Sequence, residues 1–89
     1  MSRARTGDIR AQTRDVLDKI EGSLAMAGTD KLRLLTVQIW LKDIDRDFAG
    51  MNEVWVEWLP QDAAPTRATC ESKLAQPDAL IEIVVSAAV

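Results

Sequence analysis

Histidine is absent from this sequence, and cysteine occurs once, at Cys70. The first absence removes histidine-based triads, histidine general bases and most zinc sites. The second removes a disulfide framework and a structural zinc cluster, and a single thiol suits a reducing compartment. No apolar run approaches the ~18 residues that a membrane-spanning helix requires, and the basic opening "MSRART" leads into no apolar leader segment. The glycines are equally uninformative for nucleotide binding, because Gly22 and Gly28 have neither the spacing nor the lysine of a phosphate loop. Positive charge is also scarce: 11 Lys and Arg against 14 Asp and Glu give a net charge of −3 and a pI near 4.8. Such a chain has little attraction for a phosphate backbone. These absences describe a soluble, cytoplasmic chain with no cofactor, no metal, no nucleic acid and no membrane partner.

What is present suffices for one small globular domain over residues 1–89, since 47% of the residues are apolar. A domain of this size buries only about 60–65% of the surface its unfolded chain exposes. Three tryptophans add large apolar surfaces that need covering. A homo-oligomer would cover them.

The periodicities predict helix, strand, helix, strand, strand, which is an α+β domain with two helices on one face of a sheet. Between Gly7 and Ala27 the residues Ile9, Val16, Leu17, Ile20, Leu24 and Ala27 form one helical stripe, with Asp8 as N-cap and Gly28 as the left-handed stop. Leu32–Leu41 alternates as a strand, with Leu35, Val37, Ile39 and Leu41 on one side and Leu34, Thr36, Gln38 and Trp40 on the other. The second set is not properly polar, so both sheet faces are expected to be at least partly covered. A second helix, roughly Asp45 to Leu59, buries Phe48, Met51, Trp55, Trp58 and Leu59 and stops at Pro60. Gly50 inside it points to close packing against a neighbour. Arg67–Leu74 and the stretch around Ile81–Ala87 complete the strands, with "AQPDA" as the turn between them.

Few residues remain that carry chemistry. Cys70, on a strand with no evident base, is expected to be a small buried filler. Arg67 and Glu82 are the two charges that stand where packing would favour something apolar. Arginine offers a planar fork of donors that matches a carboxylate in two parallel hydrogen bonds. A glutamate among apolar neighbours loses hydration, which suits it to proton transfer near neutral pH. A site with both would bind a small carboxylate and move a proton or place a water. A plain ion pair, or an edge glutamate facing solvent, would equally account for the pattern.

"DFAGMNEVWVEWLP" followed by "APTRATCESKLAQPDALIEIVVSAA" resembles the YjgF/RidA family of small deaminases. The upstream segment "GDIRAQTRDVLDKIEGSLAMAGTDKLRLLTVQIWLKDI" resembles that family's helix and following strand, so the likeness runs from about Gly7 to the C-terminus. The resemblance implies a chorismate-mutase-like α+β fold and a homotrimer with ligand clefts between subunits. By the same resemblance Arg67 binds the substrate carboxylate, Thr69 lines the cleft, and Glu82 positions or activates the attacking water. The implied reaction is hydrolysis of reactive enamines and imines such as 2-aminoacrylate to a 2-keto acid and ammonia, without a cofactor.

The sequence also departs from that family. The usual N-terminal strands have no counterpart before the first helix, and the segment after the arginine is altered to "CESKLAQP". The alternative to an enzyme is therefore a catalytically weak trimer that keeps the arginine pocket for a small carboxylate, as a ligand-binding or regulatory protein. The family's older naming as endoribonucleases is opposed by the acidic balance, the missing histidines and the lack of a basic-aromatic platform.

Overall fold

A computed structural model describes residues 7–89; the basic opening stretch "MSRART" lies outside the described residues. The order is α1 (Ile9–Met26), β1 (Leu34–Leu41), α2 (Ile44–Trp58), β2 (Thr66–Glu71) and β3 (Ile81–Ala87), with short 3₁₀ turns at Lys31–Arg33 and Gln61–Ala63. The predicted α+β architecture is the one observed.

Both helices begin where their caps dictate. The Asp8 carboxylate accepts the Ala11 N–H at 2.9 Å, and Asp43 accepts that of Arg46 at 3.1 Å, each satisfying a donor that the first helical turn leaves free. At the end of α1, Gly28 adopts φ 80°. The N–H groups of Gly28 and Thr29 then close on the carbonyls of Ala25 and Leu24.

The sheet has the order β2-β1-β3. β1 pairs with β2 in parallel and with β3 antiparallel, so α2 is the crossover of a β-α-β unit. The last two strands, although adjacent in sequence, do not pair with each other. They flank β1, and their connection crosses its end, tied by Ser72 N–H to the Leu41 carbonyl and Lys42 N–H to the Leu80 carbonyl, both 3.0 Å. The strand expected to reach Leu74 accordingly ends at Glu71.

One face of the sheet carries the core. Val37, Ile39, Leu41 and Ile81 meet Leu17, Leu24, Met51, Val54, Trp55 and Leu59 from the helices. Three expectations are corrected here. Leu34 is buried and Leu35 is 56% exposed, the reverse of simple alternation, because the register slips by one residue between Leu34 and Thr36. The extra residue of this β-bulge turns Leu34 inward. On α2, Val54 takes the buried place expected of Phe48, which is 38% exposed. Gln12 and Thr13 are buried polar residues that the apolar stripe did not anticipate.

Both polar side chains are satisfied. Thr13 donates to the Ile9 carbonyl at 2.7 Å. The Gln12 amide donates to the carbonyls of Gly7 and Asp78, and its oxygen accepts the Leu80 N–H at 2.8 Å. One buried amide thereby joins α1 to the lead-in of β3.

Gly50 bears out the expected close approach, since a Cβ there would stand 2.7 Å from Ile9 Cγ2. Gly22 meets nothing within 4 Å. Alanine gains about 1 kcal/mol over glycine in a helix interior, whereas overpacking costs about 1–3 kcal/mol. Gly22→Ala should therefore raise the melting temperature, and Gly50→Ala should lower it by roughly 5 °C, as thermal denaturation followed by circular dichroism would read.

Candidate functional site

Strand pairing decides which face each candidate occupies. Val37 stands between Arg67 and Val85, and Trp40 between Cys70 and Glu82. Side chains alternate along a strand, so Arg67, Thr69 and Glu71 point toward the helices, while Cys70, Trp40 and Glu82 form a row on the open face. β2 and β3 are also separated by β1, which places their backbones about 10 Å apart. A single chain thus brings Arg67 and Thr69 together and leaves Glu82 apart from them. Cys70 is exposed, not the buried filler expected, for the same reason of parity. Glu82 is exposed too, so within one chain its carboxylate keeps its water.

Arg67 is half-buried and is held by α2. Its Nη1 donates to Asn52 Oδ1 at 2.8 Å. Its Cζ lies 5.5 Å from the centroid of the Trp55 ring and 5.9 Å from that of Phe48, within cation–π range. Phe48, Asn52 and Trp55 follow one another at i, i+4 and i+7, the spacing of a single helix face. A polar residue set between two aromatics of an apolar stripe was the available sequence signal for this cradle, and reading the stripe as core alone missed it.

The electrostatics of Arg67 differ from those of its neighbours in composition. Arg10 is hydrogen-bonded to Glu53 and Arg46 to Asp47, and in both the carboxylate pushes the guanidinium pKa up. Arg67 goes the other way, because burial withdraws water from its charge. Among the described residues the ion pairs are Arg10–Glu53, Lys19–Asp15, Lys31–Glu21 and Arg46–Asp47, and none involves Arg67. Arginine titrates far above neutrality, so the side chain remains a cation. Of the five N–H donors a guanidinium carries, Asn52 takes one.

Two neighbours along β2 complete the inward row. Thr69 places a buried hydroxyl oxygen there that has no hydrogen-bond partner among the described residues. Glu71 accepts the N–H of Ile44 at 3.1 Å, so the acid of this row is engaged at the N-terminus of α2. The arrangement is a partly desolvated cation with free donors, a polar hydroxyl two residues away, and aromatic walls. A guanidinium of this kind has the planar donor geometry that matches a carboxylate in two parallel hydrogen bonds.

The family model for endoribonuclease L-PSP matches residues 2–89. The chain belongs to this family, also known as YjgF/RidA. A RutC family protein of Haemophilus influenzae is 45% identical over 76 residues, which is 85% of this chain and 65% of the relative. A second, from Pyrococcus horikoshii, is 42% identical over 77 residues, 86% of this chain and 60% of that protein. The chain thus spans less than two thirds of the length of these two curated relatives. Among solved structures, an uncharacterized protein from Pseudomonas aeruginosa superposes with a TM-score of 0.92 at 39% identity, covering 98% of this chain and 75% of that one. A YjgF family member from Neisseria meningitidis gives 0.86 at 40%, covering 89% and 66%. The YjgF/RidA fold inferred from the sequence is therefore the fold observed.

In this YjgF/RidA chain the groups that hold Arg67 are neutral. Asn52→Asp would supply an internal carboxylate at the same distance. It should reduce binding of a small carboxylate more than tenfold, while thermal denaturation shows the fold retained; titration calorimetry with acetate or propionate would measure the loss.

Proposed function

We propose that the protein binds small imines and enamines by their carboxylate at Arg67 and hydrolyses them to 2-keto acids and ammonia. The observation that carries this reading is the guanidinium without an anion, held in place by Asn52, Phe48 and Trp55. In the reaction an enamine first becomes the imine by gaining a proton at its β-carbon and losing one from nitrogen. Water then adds to the carbon of the C=N bond, and the proton it gives up passes to nitrogen. The carbon–nitrogen bond breaks, nitrogen leaves as ammonia, and the carbon becomes a carbonyl. The acid anchored at Arg67 fixes where that carbon lies, and Thr69 is proposed to line the cleft beside it. Orientation and preorganised polarity supply the acceleration. No cofactor is called for, because an imine is already electrophilic.

Glu82 is proposed as the residue that positions the water and takes its proton. It lies on the opposite sheet face from Arg67, so it can act on the same ligand only from another copy of the chain. Such a contact joins the open face of one copy to the Arg67 side of the next, and repeated contacts between unlike surfaces close into a ring where the rotation between copies permits it. A homotrimer with clefts between subunits is the arrangement the proposal expects. The alternative is a catalytically weak carboxylate-binding trimer, in which Arg67 holds the ligand and Glu82 takes no part. A ribonuclease, as in the family's name, finds less support in a chain of net charge −3.

The deciding experiment follows keto-acid release from a serine or threonine dehydratase with and without this protein. Wild type should accelerate release, Arg67→Ala should abolish both ligand binding and turnover, and Glu82→Gln should lower turnover by about 10²–10⁴, well beyond any loss of binding. A folded wild type that binds carboxylates but leaves release unchanged would replace the enzyme with the binding protein.

A further inference from the structure

Phe48 is the residue whose position the core does not explain. It shares a face of α2 with Asn52 and Trp55, yet it stands outside the core cluster and is 38% exposed. Its ring lies beside the guanidinium of Arg67. An aromatic side chain is ordinarily placed to bury a large apolar area, and a cation to meet water or an anion. Here an uncovered ring adjoins a cation without an anion. Each alone is unremarkable on a surface; together they describe one ligand, whose acid takes the free donors and whose apolar body covers the ring.

The surroundings narrow that ligand further. The groups that hold Arg67 are an amide and two rings, and none adds a second positive charge beside the guanidinium, which suits it to one carboxylate. Trp55 is buried at 7% exposure, which leaves Phe48 as the wall with free surface.

We infer that Phe48 sets the substrate preference of this site, favouring monocarboxylates whose substituent is branched or aromatic over those with a short or polar one. This rests on the reading of Arg67 as the carboxylate anchor and adds to it the class of side chain. The imines processed would then be those of branched or aromatic 2-amino acids ahead of 2-aminoacrylate.

The test is titration calorimetry of the whole chain with acetate, 3-methylbutanoate and phenylacetate as probes, on wild type, Phe48→Ala, Phe48→Leu and Arg67→Ala, with circular dichroism to establish folding. Wild type should prefer phenylacetate to acetate by roughly tenfold or more. Phe48→Ala should bring that ratio toward one, Phe48→Leu should keep an intermediate ratio, and Arg67→Ala should weaken all three acids together. Equal affinities in wild type, or an undiminished ratio in Phe48→Ala, would overturn the role of Phe48 and leave the anchor standing. Failure of wild type to bind any probe would overturn the anchor as well.

Discussion

β1 is hydrogen-bonded along both edges, to β2 on one side and β3 on the other, and the two-residue alternation of its neighbours follows from that pairing. Val37, Ile39 and Leu41 face the helices at 3% exposure or less, and a shift of one residue in β3 would turn its inward apolar row, Ile81, Ile83 and Val85, to the open face. The same constraint sends Arg67 inward and Glu82 outward. It also explains why Cys70 lies on the opposite face from Thr69 and Glu71 beside it. The strand that builds the core therefore assigns the two charges to opposite sides of the sheet.

Arg67 is tolerated on the core side because its surroundings are polarisable without being charged. Withdrawing water from a guanidinium is unfavourable, and the rings of Phe48 and Trp55 with the Asn52 amide return part of that loss. A carboxylate would return more, as it does for Arg10 and Arg46 at the surface. The acid that β2 does place in the same row, Glu71, is engaged with the N-terminus of α2. Glu71 stands four residues from Arg67 along β2, about 13 Å on an extended strand, and at the end of α2 its negative charge is favourable.

The helices support this from a distance. Gln12 binds the lead-in to β3, and the close approach of Gly50 to Ile9 lets α2 lie near α1. α2 in turn carries the whole cradle of Arg67. The membrane question is settled among the described residues only for helices: none is long and apolar enough to cross a bilayer.

Much of the architecture was legible in the sequence. Caps at Asp8 and Gly28, the stripes of both helices and the three alternating strands act through local geometry, and local geometry is written in spacing. Arg67 and Glu82 stood out for the same reason, as charges in apolar patterns. Three features were decided only by the tertiary structure. The bulge that exchanges Leu34 and Leu35 exists because β3 pairs with β1 out of simple step. Phe48 is left beside Arg67 because α1 claims the adjoining face of α2, and spacing within one helix does not say what lies opposite it. The separation of Arg67 from Glu82 depends on β1 lying between two strands adjacent in sequence, and alternation within each strand carries no information about which edge of the sheet it will occupy.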